Sequence, residues 1–203
     1  MNKLLISLIL TLFTLSGHAV TALKVGDVLL QPLDCWSCDL IEDEEQTIYS
    51  HMGIVMSLEP VMVAEARGKV RMISLEEFNS TTEKGQKISV LRLQHSGAVE
   101  ELQKNKTAFV ALFKSEFEGL KYDHDFLWDN FDADGAQKLY CSELVAKLLQ
   151  AFLGIDPIIK RMHFSRNPEI WERYFGGPAP VGKWGNAPAD FERSDRFYQV
   201  GEL

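Results

Sequence analysis

Residues 49–73 constrain this chain more than any other stretch. Three short runs rich in β-branched and apolar residues, 49–57, 61–66 and 70–73, are separated by only a few residues each. Leu58-Glu59-Pro60 and Arg67-Gly68-Lys69 carry the turn-forming residues between them. Connections this short join only antiparallel neighbours. A three-stranded meander is therefore fixed locally, and helices or further strands must cover it. Residues 25–31 and 87–93 read as two more strands, and 197–200 as a last one.

The helices follow from a different periodicity. From Cys141 to Phe152, Leu144, Val145, Leu148, Leu149 and Phe152 share one face, and Gly154 with Pro157 ends the run. Residues 97–118 predict a long, mostly amphipathic helix interrupted at Thr107. Ser74 with Glu77 predicts a capping box opening a short helix through Phe78. Asn167 caps another helix, with Pro168 at its first position and Gly176-Gly177 beyond its end. Residues 35–46 carry five carboxylates and read as an acidic, irregular stretch. The pattern is α+β, an antiparallel sheet packed against helices. It has no internal repeats and no linker long enough to separate domains.

Composition narrows the function classes. The 203 residues carry 29 acidic and 21 basic side chains. An acidic chain without a basic cluster does not suit nucleic-acid binding. Residues 1–22 have the form of an export signal: Lys3, an apolar run over 4–15, then the small-x-small triplet Val20-Thr21-Ala22. Cleavage after Ala19 is the alternative. The run is shorter than the about 20 residues a spanning helix needs, so a retained anchor is disfavoured. No cysteine follows the cut, which argues against a lipoprotein. The expected mature chain, residues 23–203, has no membrane span and sits in a periplasmic or extracellular, oxidising setting.

Three cysteines leave one unpaired. Cys35 and Cys38 form a C-x-x-C that lacks both the βαβ setting of a redox motif and the further ligands a zinc site needs. A local disulfide and a pair of free thiols stay open, and compartment favours the disulfide. Cys141 stands at the start of a helix, where free N–H groups and the helix dipole favour a thiolate and could hold an oxyanion. The bland alternative is a buried cysteine acting as a small hydrophobe. A three-residue loop 57–59 places Met56 opposite Pro60 and, counting back, His51 opposite Glu65, on one face of the sheet. A slip of one residue would separate them. Thiol, imidazole and carboxylate make a nucleophile, a base and its orienter.

Gly26-Asp27-Val28, the run from Tyr49 to Val55, Val63-Ala64-Glu65-Ala66 and the run from Tyr140 to Val145 together resemble the permuted papain-fold amidases of the NlpC/P60 superfamily. The resemblance is to the YiiX/YebB-like branch, related to lecithin–retinol acyltransferase, and covers most of 24–155. The order here is histidine, carboxylate, cysteine, as in the permuted group. The resemblance implies a papain-like fold for residues 23–203, with Cys141 as nucleophile, His51 as general base and Glu65 as third member. Asp27 and Tyr140 are weaker implied site-shaping residues, and Tyr122-Asp123 resembles a recurrent motif ahead of the cysteine. The expected activity is hydrolysis of an amide or ester through a thioester, on a small-molecule, peptide or lipid substrate, without metal or cofactor. Acyl transfer to another acceptor and a non-catalytic binding groove are the rivals. The Cys35-Trp36-Ser37-Cys38 insert and the tail after Pro157 lie outside the resemblance.

Residues 130–135 resemble half a calcium loop, but the twelfth position, which should be a bidentate Glu, is Cys141. A solvated acidic turn is expected there.

Overall fold

A computed structural model describes residues 22–203; the expected export signal lies almost wholly outside the described residues. The elements are β1 (Val28–Gln31), α1 (Trp36–Glu45), β2 (His51–Leu58), β3 (Val61–Arg67), β4 (Lys69–Ser74), α2 (Leu75–Asn79), β5 (Ser89–Leu93), α3 (Ser96–Lys104), α4 (Lys106–Glu116), β6 (Lys121–Tyr122) and β7 (Lys138–Leu139). They continue with α5 (Cys141–Leu153), β8 (Lys160–Arg161), α6 (Pro168–Phe175), β9 (Trp184–Gly185), α7 (Pro188–Glu192) and β10 (Phe197–Glu202). Six longer strands form an antiparallel sheet in the order β10-β5-β1-β2-β3-β4. The two-residue strands β6 and β7 extend it, with β7 parallel to β6.

Alternation along the strands separates two cores. Met52, Ile54, Met56, Ala64 and Ala66 face α4 and α5, where they meet Phe109, Phe113, Leu144, Val145 and Leu148. Leu29, Val55, Val63 and Ile73 face the other way, beneath Phe78 of α2. Gly53 belongs to this second face. A Cβ there would lie 2.6 Å from Val63 Cγ1 and 3.0 Å from both the Ala64 carbonyl oxygen and Phe78. Only glycine lets Phe78 settle beside the start of β2.

Several elements differ from the sequence expectation. The helix expected over 97–118 is two helices that meet at Asn105, whose φ of −115° and ψ of 29° leave the helical region. Ser74 Oγ does accept the Glu77 N–H at 3.1 Å, but the Glu77 carboxylate turns to Arg71 at 3.0 Å, so only half a capping box forms. Asn167 does occupy the N-cap of α6, yet its side-chain amide donates to Asp43 instead.

The largest difference is residues 35–46. They form helix α1 behind a Cys35–Cys38 disulfide. The acidic run is ordered by distant partners. Glu44 accepts the backbone N–H groups of Ser165 and Arg166, Glu45 pairs with Lys160, and Asp43 accepts from Asn167. Arg193 donates to the carbonyls of Glu45 and Gln46. α1 and the tail after Pro157 therefore hold one another, and the aromatic cluster of Phe126, Phe164, Trp171, Tyr174 and Phe175 fills the space beside them.

Candidate active site

The site forms at the end of the sheet where β2 starts with His51 and α5 starts with Cys141. His51 Nε2 lies 2.7 Å from Glu65 Oε2, and both side chains are buried. The Cys141 side chain interacts with the same imidazole and favours its charged form. Glu65 occupies Nε2, which leaves Nδ1 as the nitrogen available to the thiol. Cys141 is buried and free of any disulfide.

The register that brings His51 and Glu65 together differs from the expected one. The loop is the two-residue Glu59-Pro60, with Leu58 opposite Val61, and the strands shift register between Val55 and Ser57. Gly53, not His51, pairs with Glu65. The tighter turn and the bulge together displace the pairing by two residues. An even displacement leaves both side chains on the same face, where they meet diagonally.

Glu65 has a second partner that the strand pattern made findable. Arg71 stands opposite it across the tight turn at Gly68. Its Nε and Nη2 donate to Glu65 Oε1 at 2.9 and 2.7 Å. One carboxylate oxygen thus serves the arginine and the other the histidine. Burial alone would raise the Glu65 pKa, but the bonds from His51 and Arg71 outweigh it and hold the carboxyl below its ordinary value. Burial likewise opposes a charged His51, yet its interactions with Cys141 and Glu65 prevail and raise the imidazole pKa to about 9. Both partners thus favour the protonated ring.

Tyr140, at the N-cap of α5, is buried, and its hydroxyl accepts the Asn186 N–H at 2.9 Å. Asn186, which the sequence did not mark, also donates from Nδ2 to the carbonyl of Ile158, and its buried Oδ1 has no partner among the described residues. Burial first, then nearby negative charge, pushes the phenols of Tyr122 and Tyr140 well above their ordinary value. Both remain neutral hydroxyls. Asp27 is not brought to this cluster. Its carboxylate takes two bonds from Arg92, at 2.7 and 2.8 Å, and one from the Lys24 N–H.

Asp123 accepts the N–H groups of Asp125 and Leu127 and the Asn130 amide, which shapes the loop ahead of β7. Glu143, two residues after the thiol, is buried, and burial raises its pKa to about 7. Its bonds run to the Asp129 N–H and Lys147, away from His51. The acidic turn uses Asp132 on the backbone N–H groups of Asp134 and Ala136 and on Lys121. Among the described residues no group of three or more His, Cys, Asp or Glu could hold a metal ion.

Two cavities flank the pair. A narrow one of about 30 Å³ is lined by Cys141, Ser142, Phe126, Met162, Phe164 and Trp171. An open groove of about 260 Å³ is lined by His51, Arg67, His124, Trp36, Tyr174 and the Cys35–Cys38 pair. Ile41, Ser50 and Tyr122 border both.

A histidine placed beside a thiol at a helix start and bonded to a buried carboxylate is the arrangement that nucleophilic catalysis by cysteine requires. Residues 22–200 match the family described as permuted papain-like amidase enzymes, YaeF/YiiX, C92 family, and the chain belongs to that family. The crystal structure of metalloprotein yiiX from Escherichia coli O157:H7 is similar in fold, with a TM-score of 0.69 at 23% identity, over 89% of this chain and 97% of that one. Compared by sequence with curated proteins, the chain matches none. That protein is described as a metalloprotein. Here the two side chains best suited to a soft metal, Cys35 and Cys38, are joined to each other.

Proposed function

We propose that the protein is an exported hydrolase that cleaves an amide bond through a thioester on Cys141. The observation that carries this is the 2.7 Å contact of His51 with Glu65, with the same imidazole interacting with Cys141 at the start of α5. The thiolate attacks the amide carbonyl carbon. Negative charge moves to the carbonyl oxygen, where the Cys141 backbone N–H at the start of α5 faces it. Tyr122, a neutral hydroxyl bordering both cavities, is the second donor. His51 gives its proton to the departing nitrogen, the C–N bond breaks, and the acyl group stays on sulfur. His51, now neutral, takes a proton from water as that water attacks the thioester. The tetrahedral adduct expels the thiolate, the acid leaves, and the thiolate–imidazolium pair is restored. Glu65, fixed by Arg71, holds the ring with Nδ1 toward sulfur and stabilises each imidazolium.

Two features support export: the signal-like residues 1–22 and a disulfide at residues 35 and 38. No helix among the described residues is long and apolar enough to cross a membrane. The testing experiment reacts p-nitrophenyl acetate with the protein, quenches it and measures intact mass. One acetyl group, mapped to Cys141 and missing from Cys141→Ala, is expected. Acetylation elsewhere, with Cys141 unmodified, would overturn the assignment.

A further inference from the structure

The two cavities divide at the catalytic pair. Cys141 lines the narrow pocket and His51 does not; His51 lines the groove and Cys141 does not. In the proposed chemistry the acyl carbon bonds to sulfur, while the imidazole delivers its proton to the departing nitrogen. The acyl half of a substrate therefore lies on the pocket side and the departing half in the groove.

The two sides differ in character. The pocket is walled by Phe126, Met162, Phe164 and Trp171. Its two carboxylates are already engaged, Glu44 by the 165–166 backbone and Glu45 by Lys160. The groove is bordered by no Asp or Glu, although acidic residues outnumber basic ones by 29 to 21 in the chain. It is bordered instead by His51, His124 and Arg67. Arg67 ends β3 at the hairpin tip, is exposed, and its guanidinium has no ion pair or hydrogen bond among the described residues. Trp36 and Tyr174, stacked with ring centroids 6.4 Å apart, form an aromatic wall.

We infer that the groove is a carboxylate-recognising subsite for the departing amine. The substrate is then an N-acylated amino acid or peptide, with a slender apolar acyl group and a free carboxylate on the released half. Arg67 meets that carboxylate by charge-assisted hydrogen bonds, and the aromatic wall takes the side chain beside it. His51 protonates the amino nitrogen, and the amino acid leaves as the C–N bond breaks. This rests on the Cys141 assignment for the direction of the substrate, but not for the binding itself.

The test uses N-butanoylphenylalanine and its neutral C-terminal amide as probes. Calorimetric titration of Cys141→Ala reads binding, and the wild-type protein reads release of phenylalanine or its amide. The acid should bind about tenfold or more tightly than the amide. Adding Arg67→Gln should bring the ratio close to one, and Arg67→Lys should restore some of it. Equal binding of acid and amide, absence of binding by both, or a preference that survives Arg67→Gln would overturn the inference. Selective binding without wild-type turnover would leave the subsite standing and remove the hydrolase; equal turnover of both probes would do the reverse.

Discussion

Two buried carboxylates, Asp27 just ahead of β1 and Glu65 on β3, show how similar interactions serve different ends. Asp27 and Glu65 are each about as buried as a side chain can be, and each receives two N–H donors of one arginine. At Asp27 the arginine bonds both oxygens, and the Lys24 N–H adds a third bond. The carboxylate is saturated, and the pair fastens the start of β1 to β5. At Glu65 the arginine bonds one oxygen only and leaves the other for His51. A saturated buried carboxylate holds the fold, whereas one with an oxygen to spare can orient a base.

Substitutions can break this contrast. His51→Ala should have the largest effect, lowering kcat/KM by roughly 10^4-fold on any substrate that acylates Cys141. A loss below tenfold would remove His51 from the chemistry. Glu65→Gln should lower kcat by roughly 10^2-fold or more in steady-state assays, because the neutral amide no longer stabilises the imidazolium. Asp27→Asn should do the opposite. It should cost about 3 kcal/mol of stability, read from urea unfolding, and leave kcat per folded molecule as in the wild type. An activity loss in Asp27→Asn equal to that of Glu65→Gln would erase the distinction.

The pH dependence of stability is a smaller effect and sharpens the same contrast. His51, with a folded pKa of about 9 against an ordinary 6.5, contributes stability that is full below about pH 6.5. That contribution disappears as pH rises through 9. Glu65, held below its ordinary 4.5, contributes stability present above that value and lost as pH falls below it. Unfolding followed from pH 4 to 10 should show both slopes in the wild type, and Cys141→Ala should reduce the alkaline one.

The features of the site legible in the sequence depend on short-range rules. Cys141 at a helix start followed from the spacing of Leu144, Val145, Leu148 and Leu149, because α5 carries its own pattern and its own Gly154 stop. The hairpin places His51 and Glu65 on one face even though its turn is shorter than the residues suggest and a bulge follows. Two offsets that combine to an even number preserve the face. Arg71 was equally accessible, since the turn at Gly68 puts it opposite Glu65. By contrast, α1 has no apolar stripe of its own. Its carboxylates are ordered by Lys160, Ser165, Arg166 and Asn167, more than a hundred residues away in sequence. Asn186 and the aromatic cluster are invisible for the same reason. Substrate recognition was thus the least legible feature, because the walls of both cavities come from segments that only the folded chain unites.

The central claim is that His51 is an imidazolium clamped between Cys141 and Glu65. Histidine-selective NMR titration tests it without any substrate. The account predicts a His51 midpoint near pH 9 in the wild type, falling in both Cys141→Ala and Glu65→Gln. A wild-type midpoint at the ordinary 6.5, unmoved by either substitution, would contradict it.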